Sequence, residues 1–399
     1  MAASRDPFAL HWSLYPRHYV APKLTTPLVI DGNIDKDPWK QVPFSDYFDE
    51  IRGATDAPPG TRPDQDAQGT RMKMLWDDDY LYVAAMLQSN FTTQAHFTKR
   101  NSPIFQKDSD FEVFIDAPAN CHDYKELEVN AINTVWNLLL DKPYDDGGSE
   151  HSGRIAQPGD KQYYEVQHQT TATKVIHGKL NDDKEGATWT VECALAFSDL
   201  LANTTTSTNT KPPKVGHKWR INFSRVEHEG DTNWTWQAQR IWDPVAKQVK
   251  GKVAMHLPDA WGYVEFGKQQ LVEDGTSQQT PPPMGDLRFD QLTDEQRDAS
   301  WPARLAAMNI YYAQRRYAEL HQGQYAATVA DLKELTDERI LKPFQSNKND
   351  KTGHGGITIT LGHKLYVATV TAPDNSLKAT VNHERLLTVN YHLQETATD

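Results

Sequence analysis

The chain has 399 residues and a formal net charge of -12. This length exceeds that of an ordinary single domain, so we expect at least two hydrophobic cores. The acidic balance excludes a protein that binds nucleic acid through a basic surface, because such a surface neutralises phosphates with Lys and Arg.

Several features bear on the cellular compartment. The sequence has no run of about 18 apolar residues, so we expect no membrane span. Its first residues lack the apolar stretch of a secretion signal, so the protein is either not secreted or begins after a removed signal. Four sequons for N-glycosylation favour a secreted or extracellular glycoprotein, with a cytoplasmic location left open; they lie at Asn90, Asn203, Asn222 and Asn233. The two cysteines, Cys121 and Cys193, could form one disulfide or none.

In chain order, residues 1–24 are predicted to be a lead-in arm, and residues 25–267 an antiparallel β-sandwich of the jelly-roll type. The second stretch alternates short runs of β-branched and aromatic residues with turns rich in Pro, Gly and Asp. No helical pattern of about ten residues separates these runs, so a parallel sheet with crossover helices is not expected. The predicted fold class is therefore mainly β.

Three consecutive acidic residues, Asp77, Asp78 and Asp79, occupy the turn between two of these runs. Carboxylates that crowd a tight turn repel one another unless they are solvated or hold a cation, and Ca²⁺ prefers oxygen ligands of this kind. The turn is therefore either a solvated loop or a calcium site, and we keep structural Ca²⁺ as the predicted cofactor.

Two further runs carry polar residues in alternation. In residues 110–116, Glu112 lies on the face opposite the apolar side chains, and in residues 126–132, Glu128 and Asn130 share one face. If the two strands are neighbours, these three side chains form a polar patch on one face of a sheet. Carboxylates and amides at fixed spacing suit the hydroxyl groups of a sugar.

The C-terminal part differs in character. Residues 268–289 are polar and contain three consecutive prolines, which predicts a linker with a stiff segment. Residues 290–399 combine helical spacing with alternating strands, which predicts a small α+β unit of unknown role. In that unit we predict one helix with Pro302 in its first turn that ends before Gly323, and a second short helix over Thr328–Leu335.

Four stretches together carry a resemblance to a known family; they are LVIDGNIDKDPWKQV from residue 28, MKMLWDDDYLYVAAML from residue 72, DSDFEVFIDAP from residue 108 and WTVECAL from residue 189. Their order and spacing resemble the family 9 carbohydrate-binding module, in its family-9-like branch. NFSRVEHEG from residue 222 and MHLPDAWGYVEF from residue 255 also fit that branch. The resemblance spans residues 17–267 and implies a β-sandwich that binds an oligo- or polysaccharide and often holds calcium.

The resemblance also implies roles for individual residues. Glu112 and Asn130 match positions that contact sugar in the family, whereas Glu128 stands where the family can have a basic residue. The family holds its sugar between two aromatic rings, and Phe105 takes the place of the first, with Met255–His256 at the place of the second. Further candidates for the second ring or for the site are Trp136, Tyr144, Trp234, Trp236 and Trp242.

Arg225 leaves two interpretations of the polar patch open. It could contact the sugar, or it could pair with one of the glutamates. In the second case the patch would be a salt-bridged network that serves the fold rather than a binding site.

The favoured function is non-catalytic carbohydrate binding through aromatic stacking and hydrogen bonds. The first alternative is a structural or assembly protein that has lost sugar binding, with a protein partner at its C-terminal unit. The second alternative is a glycoside hydrolase that uses Glu112 and Glu128, since hydrolysis needs two carboxylates about 5–10 Å apart. The sequence contains no other catalytic motif, so we do not expect an enzyme.

Overall fold

The computed structural model describes residues 6–206, 211–270, 284–345 and 355–392. The strands in these ranges are β1 (His18–Lys23), β2 (Asp49–Glu50), β3 (Thr70–Trp76), β4 (Tyr80–Leu87), β5 (Asp110–Asp116), β6 (Tyr124–Asn130), β7 (Val135–Leu140), β8 (Glu150–Ser152), β9 (Gln169–Gly178), β10 (Ala187–Ala196), β11 (Lys218–Glu227), β12 (Thr232–Thr235), β13 (Arg240–Asp243), β14 (Gln248–Gly251), β15 (Gly262–Gln270), β16 (Gly285–Leu287), β17 (Gly356–Gly362), β18 (Leu365–Thr371), β19 (Leu377–Asn382) and β20 (Leu387–Tyr391). The α-helices are α1 (Ala9–Ser13), α2 (Gln65–Gln68), α3 (Phe197–Leu200), α4 (Trp301–Leu320) and α5 (Glu338–Leu341).

The largest sheet has two halves that are joined at a single point. Its main path runs in the order β8-β7-β6-β5-β11-β15-β1 and continues as β3-β4-β10-β9. β1 pairs with β15 along most of its length but with β3 only through Lys23 and Trp76. The two halves can therefore fold over each other as two layers.

The main core lies between these layers. Phe111 and Val113 of β5 share one hydrophobic cluster with Val191 and Cys193 of β10, which belongs to the other half of the sheet. The predicted fold class, a mainly β protein with a sandwich, is confirmed. Because neighbouring side chains in a strand point to opposite faces, the residues between the core positions of β5 lie on the outer face of the sandwich.

The predicted lead-in arm is not a separate element in the described residues. β1 lies inside the large sheet and runs parallel to β15, so the sheet is mixed rather than wholly antiparallel. The residues before it belong elsewhere, because Phe8 and Leu14 around α1 pack on the core of the C-terminal unit. The N-terminal segment therefore contributes to both units of the protein.

The C-terminal unit consists of α4 packed on the antiparallel sheet β17-β18-β19-β20. As predicted, α4 has Pro302 in its first turn and ends before Gly323, whose φ is +83°. The second helix predicted over Thr328–Leu335 is wrong. Backbone hydrogen bonds there run mainly from residue i+3 to residue i and form successive turns, and the next helix, α5, begins at Glu338.

Smaller predictions can also be compared with the structure. Most of the predicted linker over residues 268–289 lies outside the described residues, but β16 at its end pairs with β1. Cys121 and Cys193 are free thiols buried in different cores. The sequon residue Asn222 is buried and donates to the carbonyl of Gln237, so it cannot carry a glycan in this fold. Within the described ranges, no helix is long and apolar enough to cross a membrane.

The two units meet at a buried ionic network, which we call the interface network. Arg385, in the turn between β19 and β20, lies 2.8 Å from Asp146 and 3.3 Å from Asp259 of the sandwich. Tyr311 and Tyr312 of α4 donate hydrogen bonds to Asp146 and Asp259, respectively. Each buried carboxylate of this network therefore has a cation and a hydroxyl donor beside it.

Candidate functional site

The outer face of β5 and β6 carries the polar patch that the sequence predicts. The two strands are neighbours, and Glu112 of β5 lies directly opposite Glu128 of β6. Ser224 of β11 continues this row beyond Glu112, and Trp136 of β7 continues it beyond Glu128. Side chains directly opposite each other have Cβ atoms about 4.5–5.5 Å apart, so the row forms one contiguous surface.

Four carboxyl groups on this face are almost completely buried; Asp110, Glu112, Glu126 and Glu128 are each at most 5% exposed. Burial raises the pKa of every one of them, and the pKa of Glu112 rises to about 8. Repulsion from the neighbouring carboxylates raises the pKa of the other three further. At neutral pH the cluster therefore retains protons that exposed carboxyl groups would have lost.

The positive charge that could balance this cluster is used elsewhere. Arg154 pairs with Glu150, and in the described part of the chain none of the four carboxylates forms an ion pair. His256 adds no charge at neutral pH, because burial lowers its pKa to about 4. The cluster is thus a group of buried acids without a protein cation.

The cluster opens onto a pocket of about 310 Å³, which we call the acidic pocket. Its defining residues are Glu112, Glu126 and Glu128 together with the ring side chains of Phe105, Phe114, Trp136, Tyr144 and His256. The loop before β15 closes one side through residues 253–256. Aromatic surface and carboxyl groups therefore line the same small space.

The rings differ in how much surface they leave for a ligand. Trp136 is covered by Phe105, whose ring stacks on it at 6.2 Å, and by the guanidinium of Arg154 at 5.2 Å. Phe105 is only half-buried, and Tyr144 is 46% exposed and contacts His256 edge to face at 4.7 Å. Phe105 and Tyr144 thus offer the accessible aromatic surface of the acidic pocket.

One backbone and one side-chain hydrogen bond hold rings of the pocket in place. The amide of Phe105 lies in a short 3₁₀ turn and donates to Glu128 over 3.3 Å. On the opposite side, the Tyr124 hydroxyl lies 3.0 Å from Nδ1 of His256. These bonds fix the rings relative to the carboxyl groups, as a preformed binding site requires.

Several buried polar atoms around the acidic pocket lack a hydrogen-bond partner. They are Oδ2 of Asp110, Oε2 of Glu126 and Nε1 of Trp136. A buried polar atom without a partner costs about 1–3 kcal/mol, so such atoms are uncommon in folded proteins. Two acceptors and one donor are thus left for a ligand.

The carboxylates of Asp110, Glu112 and Glu128 also converge on one another. Each of them offers an oxygen atom that lies within 4.8 Å of the others, and no other such group of acidic, His or Cys side chains occurs in the described residues. The predicted site at Asp77–Asp79 has a different arrangement. Asp77 accepts hydrogen bonds from its own turn and from the Tyr82 hydroxyl, so its carboxylate is already satisfied. The calcium prediction for that turn stays a prediction.

Asn130 is on the predicted face but is not available to a sugar. Its side-chain amide donates to the carbonyl of Phe97 and to Asp108, and its oxygen accepts from the amides of Ile132 and Thr134. An asparagine side chain has two donor hydrogens and two acceptor sites, so this one is saturated. The expectation that Asn130 contacts the ligand is therefore wrong for this structure.

Arg225 and two predicted tryptophans lie on the inner face instead. Arg225 is fully buried and pairs with Glu227 at 2.7 Å, so neither of the two interpretations left open by the sequence, contact with a sugar or pairing with Glu112 or Glu128, is correct. Trp234 and Trp236 are at most 4% exposed in the core between the layers, and their indole nitrogens donate inside the protein. None of these three side chains can reach a ligand in the acidic pocket.

Sequence reasoning left Asp110 and Glu126 out of its proposed site, although the structure places both in the cluster. The signal was present, because both residues share their strand face with Glu112 or Glu128 by simple alternation. Trp242 was a further candidate, and it packs in the core of the C-terminal unit. Phe105 and His256, by contrast, both line the acidic pocket with Glu112 and Glu128.

Comparison with known proteins gives distant structural neighbours and no sequence match. No family model matches the chain, and no curated protein matches it. Among solved structures, a family 9 carbohydrate-binding module from Caldicellulosiruptor kristjanssonii is similar in its complexes with cellotriose and with glucose. Both complexes are 16% identical to this chain, with a TM-score of 0.36. Each alignment spans the whole module, and it covers 66% of this chain for the cellotriose complex and 64% for the glucose complex.

A proposed carbohydrate-binding protein from Bacteroides uniformis ATCC 8492 is similar as well. It has 10% identity and a TM-score of 0.42, and the alignment covers 63% of this chain and 99% of that protein. With identities and TM-scores this low, the chain is only a distant neighbour of these proteins. The argument about function therefore rests on the acidic pocket itself.

Proposed function

We propose that the acidic pocket binds a short saccharide, or the end of a longer one, and does not act on it chemically. The observation that carries this proposal is that accessible rings lie beside buried carboxyl groups that form no ion pair in the described residues. Phe105 and Tyr144 offer flat apolar surface for the C–H face of a sugar ring. Glu112, Glu126 and Glu128 lie beside these rings and can bond the hydroxyl groups.

The raised pKa values suit this ligand. An ionised carboxylate only accepts hydrogen bonds, whereas a protonated carboxyl group both donates and accepts. A sugar hydroxyl also does both. A cluster that keeps some of its protons at neutral pH can therefore match several hydroxyl groups without burying four negative charges.

The size of the pocket limits the length of the ligand. Pockets for small molecules usually measure about 300–1,000 Å³, and the acidic pocket lies at the lower end of that range. Such a volume favours a short saccharide or a chain end over the middle of a long polysaccharide. A secreted or extracellular location would agree with this ligand.

The spacing of the glutamates favours binding over hydrolysis. Glu112 and Glu128 are direct cross-strand partners with oxygen atoms within 4.8 Å of each other. Retaining glycosidases separate their carboxyl groups by about 5–5.5 Å and inverting enzymes by about 6.5–9.5 Å, with the sugar bond between them. Here the two groups are neighbours on one sheet face, and their nearest oxygens are closer than either of these separations.

The proposal is tested on a glycan array with the full chain, followed by titration with the best ligand. We expect saturable binding to one class of glycan, weakened by Phe105→Ala and by Glu112→Gln. Phe289→Ala is the matched aromatic control, because Phe289 is also half-buried but packs on Trp12, away from the pocket lining. Absence of binding to any glycan would overturn the proposal and favour an assembly role through the C-terminal unit.

A further inference from the structure

We propose that Asp110, Glu112 and Glu128 together bind one divalent cation with oxygen ligands, Ca²⁺ in the first place, at the acidic pocket. The proposal shares Glu112 and Glu128 with the proposed saccharide site, and it requires that these carboxyl groups release their protons when the cation binds; its test is therefore made at pH 8 without saccharide. It also differs from the predicted calcium site at the Asp77–Asp79 turn, which lies between β3 and β4.

The geometry of the three carboxylates carries the first step. One oxygen from each lies within 4.8 Å of the others. Ca²⁺ holds its oxygen ligands at about 2.3–2.6 Å, so two ligands of one ion are at most about 5 Å apart. Each pair of these oxygens is therefore close enough to share one ion, and a small movement of the side chains brings all three to bonding distance.

Unpartnered polar atoms next to the cluster supply independent evidence. Glu126 is not one of the three proposed ligands, yet its Oε2 is buried without a hydrogen-bond partner and the residue lines the same pocket. Oδ2 of Asp110, a residue with no exposed surface, also lacks a partner. A cation with its coordinated water would give these oxygens the partners that the protein does not provide.

Charge balance points in the same direction. Elsewhere in the described residues, other buried carboxylates have a partner within the protein: Glu227 has Arg225 and Asp259 has Arg385, whereas Asp108, Asp116 and Asp123 form no ion pair but accept hydrogen bonds from backbone amides. No ion pair reaches Asp110, Glu112 or Glu128, although each is less than 5% exposed. A bound dication would neutralise most of the charge of the three ionised ligands and so remove much of the cost of burying them.

The ligand set selects the kind of cation. All three ligands are carboxylates, and this set contains no His or Cys side chain. Zn²⁺ prefers nitrogen and sulfur ligands, and Mg²⁺ demands a nearly ideal octahedron and keeps most of its water. Ca²⁺ accepts irregular sets of six to eight oxygens and therefore suits three carboxylates that project from adjacent strands.

The test uses Tb³⁺ as a luminescent substitute for Ca²⁺ on the full, chelator-treated chain at pH 8, without saccharide. Trp136 lies opposite Glu128 and serves as the antenna for sensitised emission. We expect saturable emission that Ca²⁺ displaces, and an affinity roughly 10–100-fold weaker in Glu128→Gln and in Glu112→Gln. Asp78→Asn is the control and should leave the affinity unchanged.

Three results would overturn the proposal. They are the absence of saturable Tb³⁺ and Ca²⁺ binding, binding that both glutamine variants retain in full, and binding that Asp78→Asn removes. Calorimetric titration of Ca²⁺ into the same proteins checks the result without Tb³⁺. Circular dichroism shows whether each variant is folded. Either glutamine variant alone can show whether its carboxylate binds the cation, so the test still works if one of them misfolds.

Discussion

The interface network and the acidic pocket are both buried and both rich in carboxylates, but they are built in opposite ways. In the interface network, Arg385 lies against Asp146 and Asp259, and tyrosine hydroxyls donate to both carboxylates. At the acidic pocket, four carboxyl groups share one sheet face without a cation. The first arrangement has its positive charge within the protein, whereas the second is neutralised only by protons or by a ligand.

The presence or absence of a cation distinguishes buried carboxylates that stabilise the fold from buried carboxylates that can bind a ligand. A paired buried charge has its partner in place, and removal of that partner leaves an expensive unpaired charge. An unpaired buried acid already bears that cost in the folded protein. A ligand that offsets this cost is a physical reason to retain such a group. The two regions should therefore respond differently to substitution.

The largest effect is expected from Arg385→Met in the interface network. The substitution leaves Asp259 buried without its cation and Asp146 with only the partly exposed Arg315, so the free energy of unfolding should fall by about 3–5 kcal/mol. Chemical denaturation measures this change. Arg288→Met is the control, because its pair with Asp290 is about three-quarters exposed and should contribute no more than about 1 kcal/mol.

The acidic pocket should differ from the interface network, because ionisation of its carboxyl groups should lower the stability of the fold. The pKa of Glu112 is raised in the fold to about 8 from an ordinary value of 4.5, so the folded state holds a proton that the unfolded chain releases. The contribution of Glu112 to the free energy of unfolding of the chelator-treated protein should therefore be most favourable below pH 4.5. This contribution should decline as the pH rises towards 8. The expected decline is on the order of 1–4 kcal/mol.

Glu112→Gln isolates this contribution. Glutamine cannot lose a proton, so the variant should be more stable than the native protein at pH 8 and its stability should depend less on pH. Denaturation curves at several pH values in the presence of chelator provide the measurement. A variant that is less stable at pH 8 would mean that Glu112 is ionised and satisfied within the fold, as the carboxylates of the interface network are.

A smaller effect is expected when one of the accessible rings of the acidic pocket is removed. Phe105→Ala removes accessible ring surface, and an aromatic contact of this kind contributes about 0.5–1.5 kcal/mol beyond burial. Saccharide affinity should fall roughly tenfold or less, in line with about 1.4 kcal/mol for each factor of ten. Direct titration with the ligand measures it, and equal loss in Phe289→Ala would indicate a general effect on the fold.

The smallest effect is expected at the exposed acidic turn. Asp78 pairs with Lys23 at 2.6 Å, but the Asp78 side chain is 84% exposed. Solvent screens such a pair, so Asp78→Asn should change the free energy of unfolding by less than about 1 kcal/mol and leave saccharide binding unaltered. A large loss of stability on this substitution that appears only in the presence of Ca²⁺ would instead support the predicted calcium site in the turn.

Much of the acidic pocket could be predicted from the sequence by alternation alone. Glu112 and Glu128 fall on the outer faces of their strands because Phe111 and Val129 occupy the core. The same rule, applied to β11, would have placed Arg225 inside, since it shares its strand face with Phe223. By the same alternation Glu227 shares this face and provides the buried partner of Arg225.

Other features could not be derived from the residue pattern. The sequence cannot tell a tryptophan in the core from one at a binding surface, because both suit a strand. Trp234 and Trp236 proved to be core residues. The place of β1 in the large sheet depends on its partners β15 and β3, which are distant in the chain. Long-range pairing of this kind leaves no local signal in the sequence.

The most direct test of the central claim, that the acidic pocket is a ligand site, is a titration of the best glycan from the array. It compares the native chain with the double variant Glu112→Gln, Glu128→Gln under identical conditions. We predict saturable binding by the native protein and none by the double variant, with unfolding curves showing that the variant remains folded. Equal binding by both proteins, or no glycan bound by the native chain, would contradict the account.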